Sequence, residues 1–146
     1  MSMKAGIRTY LLADSTIKSA LATATAVYSF PAPMGAAMPY LLLSRVSGGI
    51  QNTLNAAVGI YIETWQVDVY ASTDSVAEGI RDKVIARMNT ADRVAMGEYW
   101  VYSASLTGAT DNSELEMDGG ESAIIRHTLD FEVVRNIDPT PTGAGP

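Results

Sequence analysis

Residues 122–135, "SAIIRHTLDFEVVR", alternate apolar and polar side chains over a length that no ordinary loop sustains. Successive side chains of an extended strand point to opposite faces, so Ile125, His127, Leu129, Phe131 and Val133 share one face, and Arg126, Thr128, Asp130 and Glu132 the other. Residues 60–71, "IYIETWQVDVYA", repeat the pattern with Trp65, Val67 and Val69 against Thr64, Gln66 and Asp68. Two long half-buried strands need a covering layer, which points to a two-layer domain with a sheet packed on helices.

The covering helix is sought between the strands. In 74–88, "DSVAEGIRDKVIARM", Val76, Ile80, Val84 and Met88 recur at every fourth position, with Glu78, Arg81, Asp82 and Lys83 elsewhere, and Ser72 or Thr73 can cap the start. Gly79 is unfavourable in a helix interior by about 1 kcal/mol relative to alanine, and a close backbone approach there would explain it. Upstream, Ile7, Tyr10 and Leu11 form one helical stripe, and Asp14 and Ser15 supply a new cap before "TIKSAL". "PYLLLSRV", between Pro39 and Gly48-Gly49, is apolar on both faces and reads as a strand covered on both sides, with the glycine pair permitting a turn. "YWVYSASL", 99–106, reads as a further strand. The expectation is an α+β domain over 1–135 with a four-stranded, mainly antiparallel sheet, one long amphipathic helix on a face and short N-terminal helices. Should the strands at 60–71 and 99–106 be parallel, their helical connection is expected to be right-handed. Residues 136–146, rich in proline and glycine, are expected to form a flexible tail.

Before the first long strand the chain is punctuated by Pro31, Pro33, Gly35 and Pro39. Proline biases the residue ahead of it toward extended backbone, so Phe30, Ala32 and Met38 are expected to be extended and the stretch to be an ordered connector. Its small residues Gly35, Ala36 and Ala37 leave room for another surface, of the same domain or of a second copy.

Charge and residue chemistry narrow the function. The 146 residues carry a net charge of −6, which disfavours a surface built to grip phosphate backbones. Without cysteine there is no disulfide framework, thiolate metal site or cysteine nucleophile. His127 is the sole histidine, and on an apolar strand face it reads as a buried, hydrogen-bonded structural residue. Serine elbows and phosphate-binding loops are missing, so no catalytic, cofactor-binding or metal-ligating residue is assigned. Asp111, Glu114, Glu116, Asp118 and Glu121 lie in an eleven-residue stretch without lysine or arginine, and their order does not match a calcium loop. They read as a solvated loop or as one facing a partner or channel. Trp65, Tyr70, Tyr99, Trp100 and Tyr102 concentrate on the two middle strands, as core packing or as interface anchors. The Gly119-Gly120 pair reads as a turn.

Taken over residues 3–136, the chain resembles the tail-terminator or tail-completion proteins of long-tailed bacteriophages and phage-like particles. The resemblance rests on "LLAD", on the Y-x-x-x-A-P-x-G-A-x-x-P-Y arrangement from Tyr28 to Tyr40, on "QVDVYA" running into "STDSVAEGI", and on "IIRHTLDFEVVRN". It implies a non-enzymatic virion protein without cofactors, assembled in the host cytoplasm and lying at the head-proximal end of the tail. The implied partners are copies of itself in a ring, usually of six, together with the tail tube protein and a head–tail connector or neck protein. DNA would pass through without specific binding, and no membrane is involved. The loop 108–120 would then face the channel or the ring surface, its carboxylates reducing adhesion of DNA. A head-completion or connector-adaptor protein is the alternative, and a small metal-dependent hydrolase a remote one.

Overall fold

A computed structural model describes residues 3–29, 31, 33–52, 57–111, 114–115 and 123–136. The chain runs through α1 (Met3–Leu12), α2 (Ser15–Ala20), β1 (Val27–Ser29), β2 (Tyr40–Asn52), β3 (Ala57–Ala71), α3 (Asp74–Asn89), β4 (Asp92–Met96), β5 (Tyr99–Asp111), β6 (Glu114–Leu115) and β7 (Ala123–Asn136).

The sheet corrects the expected architecture. It is a mixed sheet in the order β1-β2-β3-β7-β5-β4, with β6 added to β7, in place of four mainly antiparallel strands beside a single long helix. Three strands account for the difference. β1 has only three residues and pairs parallel to β2. β4 carries little apolar patterning and is held by the tight Gly97-Glu98 turn, where Gly97 takes a φ of 64°. β6 arises inside the stretch read as a loop, because β5 continues to Asp111 and Glu114 then pairs with Ile124. Gly48 and Gly49 likewise are not a turn but lie within β2, opposite Glu63 and Ile62 of a longer β2–β3 hairpin. β7 inserts between β3 and β5, antiparallel to both, so those two strands are parallel to each other and α3 lies on their connection.

Alternation sorts the sheet into two faces. Leu41, Leu43, Trp65, Val67, Val69, Leu129, Phe131 and Val133 join Ile7, Leu11, Ile17, Ile80, Val84 and Met88 in one buried core. Each such side chain stabilises the fold by about 1.5–3 kcal/mol relative to exposure, so this face supplies most of the driving force. On α3 the buried stripe is Ala77, Ile80, Val84 and Met88, and Val76 is exposed. At 3.6 residues per turn, positions 76 and 88 differ by about 120° around the axis whereas 77 and 88 differ by about 20°, so the stripe that stays on the sheet starts at Ala77.

Local chemistry sets the helix ends. The Asp14 carboxylate accepts from the Thr16 amide at 2.9 Å and the Thr16 hydroxyl at 2.6 Å, capping α2 as its sequence predicts. The Thr16 hydroxyl bond, joined by backbone amides, holds the Asp14 carboxyl below the usual carboxylate range. In the proline connector the Ala36 amide donates to the Pro33 carbonyl at 3.1 Å, and Gly35, at a φ of 77°, supplies the positive φ of that turn. The Met38–Pro39 peptide is cis, and Ala22 donates to the Pro39 carbonyl at 2.9 Å. Pro31, Pro33 and Gly35 are exposed and Pro39 is half-buried, while Phe30 and Ala32 lie outside the described residues. Of the expected tail, Asn136 is instead the buried last residue of β7, and 137–146 lie outside the described residues.

Glycine placement yields a paired prediction. A Cβ on Gly6 would overlap the Met96 carbonyl, where α1 crosses the end of β4, whereas one on Gly79 meets nothing within 4 Å. The close approach expected at Gly79 is therefore found at Gly6. Gly6→Ala should destabilise by about 1–3 kcal/mol. Gly79→Ala should be neutral or stabilising by up to about 1 kcal/mol. Urea unfolding of the two variants checks the contrast.

Candidate functional site

The described helices pack on one sheet face, and the opposite face presents side chains from β1, β2, β3 and β7. Register places Tyr40 opposite Tyr70, Tyr70 opposite Arg126 and Asp68 opposite Thr128, so these residues form a continuous cross-strand ladder. Tyr40 stacks on Tyr70 with centroids 4.8 Å apart and 12° between planes, and Tyr28 meets Tyr40 edge-on at 5.7 Å. Arg126 lies over the Tyr70 ring at 5.8 Å. Burial first, then the Tyr70 and Tyr28 hydroxyls nearby, push the Tyr40 hydroxyl above the usual phenol range.

Asp68 is the centre of this face. Although no described helix covers it, it is 2% exposed, because its neighbours close over it. The Thr128 hydroxyl donates to Oδ1 at 2.6 Å, the Gln66 amide to Oδ2 at 2.9 Å, and the Arg126 guanidinium reaches both oxygens at 3.4 Å. A hollow of about 360 Å³ lies over the network, lined by Leu42, Ser44, Gln66, Asp68, Tyr70 and Arg126. The side chains are already locked by one another, so little rotamer freedom remains to be lost when another surface lands here.

At the far end of β7, on the helix-covered face, lies a second polar cluster. Arg135 donates from Nε to Glu63 Oε1 at 2.7 Å and from Nη1 to the Asn136 carbonyl at 2.7 Å, with its guanidinium between the rings of Tyr61 at 4.7 Å and Tyr99 at 4.4 Å. Glu63 is 1% exposed, and Arg45, largely exposed, approaches its Oε2 at 3.9 Å. A cavity of about 560 Å³ opens beside the pair, lined by Lys4, Ser44, Arg45, Trp65 and Tyr99 among others.

The fold of this chain is similar to that of a chain in the virion of a native gene transfer agent particle. The TM-score is 0.67 at 17% identity, covering 91% of this chain and 93% of that one. No protein-family model and no curated protein sequence matches the chain.

The aromatic residues singled out by sequence divide between the faces. Trp65 is buried in the core and Tyr70 belongs to the uncovered ladder, while Tyr99 packs on Arg135. Trp100 is half-buried, its backbone amide donating to Asn136 Oδ1 at 2.9 Å, and Tyr102 occupies a bulge between Val101 and Ser103. Of the five acids, Asp111 is exposed at the end of β5 and Glu114 lies on β6. Glu116, Asp118 and Glu121, with Gly119-Gly120, lie outside the described residues. His127 is 4% exposed and its Nε2 lies 3.2 Å from Asp74 Oδ1. Sequence reasoning missed Asp68, Arg126, Glu63 and Arg135 as clusters. The available signal was the charged residue at matching depth in each of two paired strands, which becomes informative only once the register is known.

The Glu63–Arg135 pair gives a stability prediction. Arg135→Met leaves a buried carboxylate without its partner and should cost about 3–5 kcal/mol, most of it recovered when Glu63→Leu is added. Arg45→Ala, at an exposed position, should stay within about 1 kcal/mol of the parent. Equilibrium unfolding of the three variants measures these differences.

Proposed function

We propose that this chain is a structural virion protein that closes the tail tube of a phage-like particle as a ring and offers the surface on which the head docks. The observation that carries the reading is its similarity, over nearly the whole of both chains, to a chain of a gene transfer agent virion. The uncovered ladder around Asp68 supports it in physical terms. Aromatic residues and arginine are the types enriched where subunits meet, and here they are preorganised on a face that the described helices leave open. In this reading neighbouring copies of the ring meet through that face, by a heterologous contact whose closure sets the copy number.

Function then follows from association rather than from chemistry at a reacting centre. The net charge of −6 suits a part that lets DNA pass without holding it. Tail tube protein on one side and a head–tail connector or neck protein on the other are the partners this position requires.

Disruption of the gene, followed by electron microscopy of the particles, tests the proposal. Overlong or headless tails, restored by supplying the protein in trans, are the expected result. Normal tails beside filled heads that leak DNA would assign the chain to the neck instead, and unchanged particles would contradict both.

A further inference from the structure

His127 interrupts the otherwise apolar row Ile125, Leu129, Phe131, Val133 of β7 with a polar ring that is 4% exposed. Its Nε2 does not face the core. It points toward the start of α3, where Asp74 Oδ1 lies at 3.2 Å, and Asp111 at the end of β5 brings a second carboxylate to the same place. The imidazole nitrogen and one oxygen from each carboxylate lie within 4.8 Å of one another. Asp111 and His127 are register partners on β5 and β7, and with the start of α3 they converge on one point, at a cavity of about 280 Å³ that Glu78 and Thr110 also line.

We propose that Asp74, Asp111 and His127 form a binding site for a divalent transition-metal cation of the zinc class. One imidazole nitrogen and two carboxylate oxygens suit such an ion, with metal–ligand distances of about 2.0–2.2 Å and a fourth position for water or Glu78. Tetrahedral coordination needs donor separations of about 3.4 Å, so the donors close by little more than 1 Å. That movement is accessible because the Asp74 side chain is 58% exposed and Asp111 is exposed, while packing holds the imidazole in place. The charge balance is favourable as well: Asp74, Glu78 and Asp111 surround the cavity, and the lining cation Arg81 is paired with Asp82 at 3.2 Å. Bound metal would tie the start of α3 to β5 and β7. The site is independent of the ring reading, since it involves the helix-covered side of the sheet and needs no second chain.

The test is titration of the full-length, untagged protein with Zn²⁺ by isothermal calorimetry, with Co²⁺ absorption as the spectroscopic readout. With one histidine and no cysteine in the chain, a Co²⁺ band of tetrahedral intensity reports this site alone. One ion per chain is expected, with a higher midpoint of thermal unfolding. Asp111→Asn, an exposed change that leaves the core intact, and His127→Gln should each weaken binding by more than about tenfold. Absence of Zn²⁺ binding by the parent protein would overturn the proposal. So would affinity unchanged in Asp111→Asn, or equal displacement by Mg²⁺, which would reveal only a diffuse acidic surface.

Discussion

Residues Ile60 to Ala71 of β3 pair with β7 without a break in register, from Ile60 opposite Asn136 to Ala71 opposite Ile125, and both faces of the domain depend on that alignment. Since side chains alternate, a slip of β7 by one residue against β3 would turn Arg126 and Thr128 toward the helices and expose Leu129 and Phe131. The apolar rows prevent it, because the core under α1 and α3 forms only in the observed alignment. What the same register does on the other side is to bring Tyr70 to Arg126 and Asp68 to Thr128. One set of backbone hydrogen bonds thus serves both the packing and the polar ladder.

Two buried charges mark where this arrangement is most demanding. Asp68 is closed over by Thr128, Gln66 and Arg126, and Glu63 by Arg135 held between two tyrosine rings. A buried carboxylate is tolerated only when such partners are all in place. Both networks join β3 to β7, so the central strands are tied by charge as well as by apolar contact. The two clusters also differ in setting. Glu63 and Arg135 line a cavity together with Met3 and Lys4 of α1, whereas no described helix covers the Asp68 network.

The legible parts of the sequence were those with strong periodicity. Alternation from 60 to 71 and from 122 to 135 located the two central strands and their buried faces, and Asp14 announced the cap of α2. The strand count was not legible. β1 and β4 are too short and too mixed in composition to carry a pattern of their own, and β2 runs through Gly48 and Gly49, residues that usually mark turns. The helix stripe was legible at Ile80, Val84 and Met88 but not at its start, where Ala77 and not Val76 is buried because spacing in fours drifts around the axis. Polar clusters were hidden for a different reason: each joins residues more than fifty positions apart, and their meeting depends on a register that a single sequence does not state.

The ladder that no described helix covers is the surface through which copies are proposed to assemble at the end of a tail. Electron cryo-microscopy of the intact particle, at a resolution that separates side chains, tests this most directly. The domain is predicted at the head-proximal end of the tail, with Tyr40, Tyr70 and Arg126 of each copy covered by the next. A complete particle without the domain, or one in which that face lies in solvent, would contradict the account.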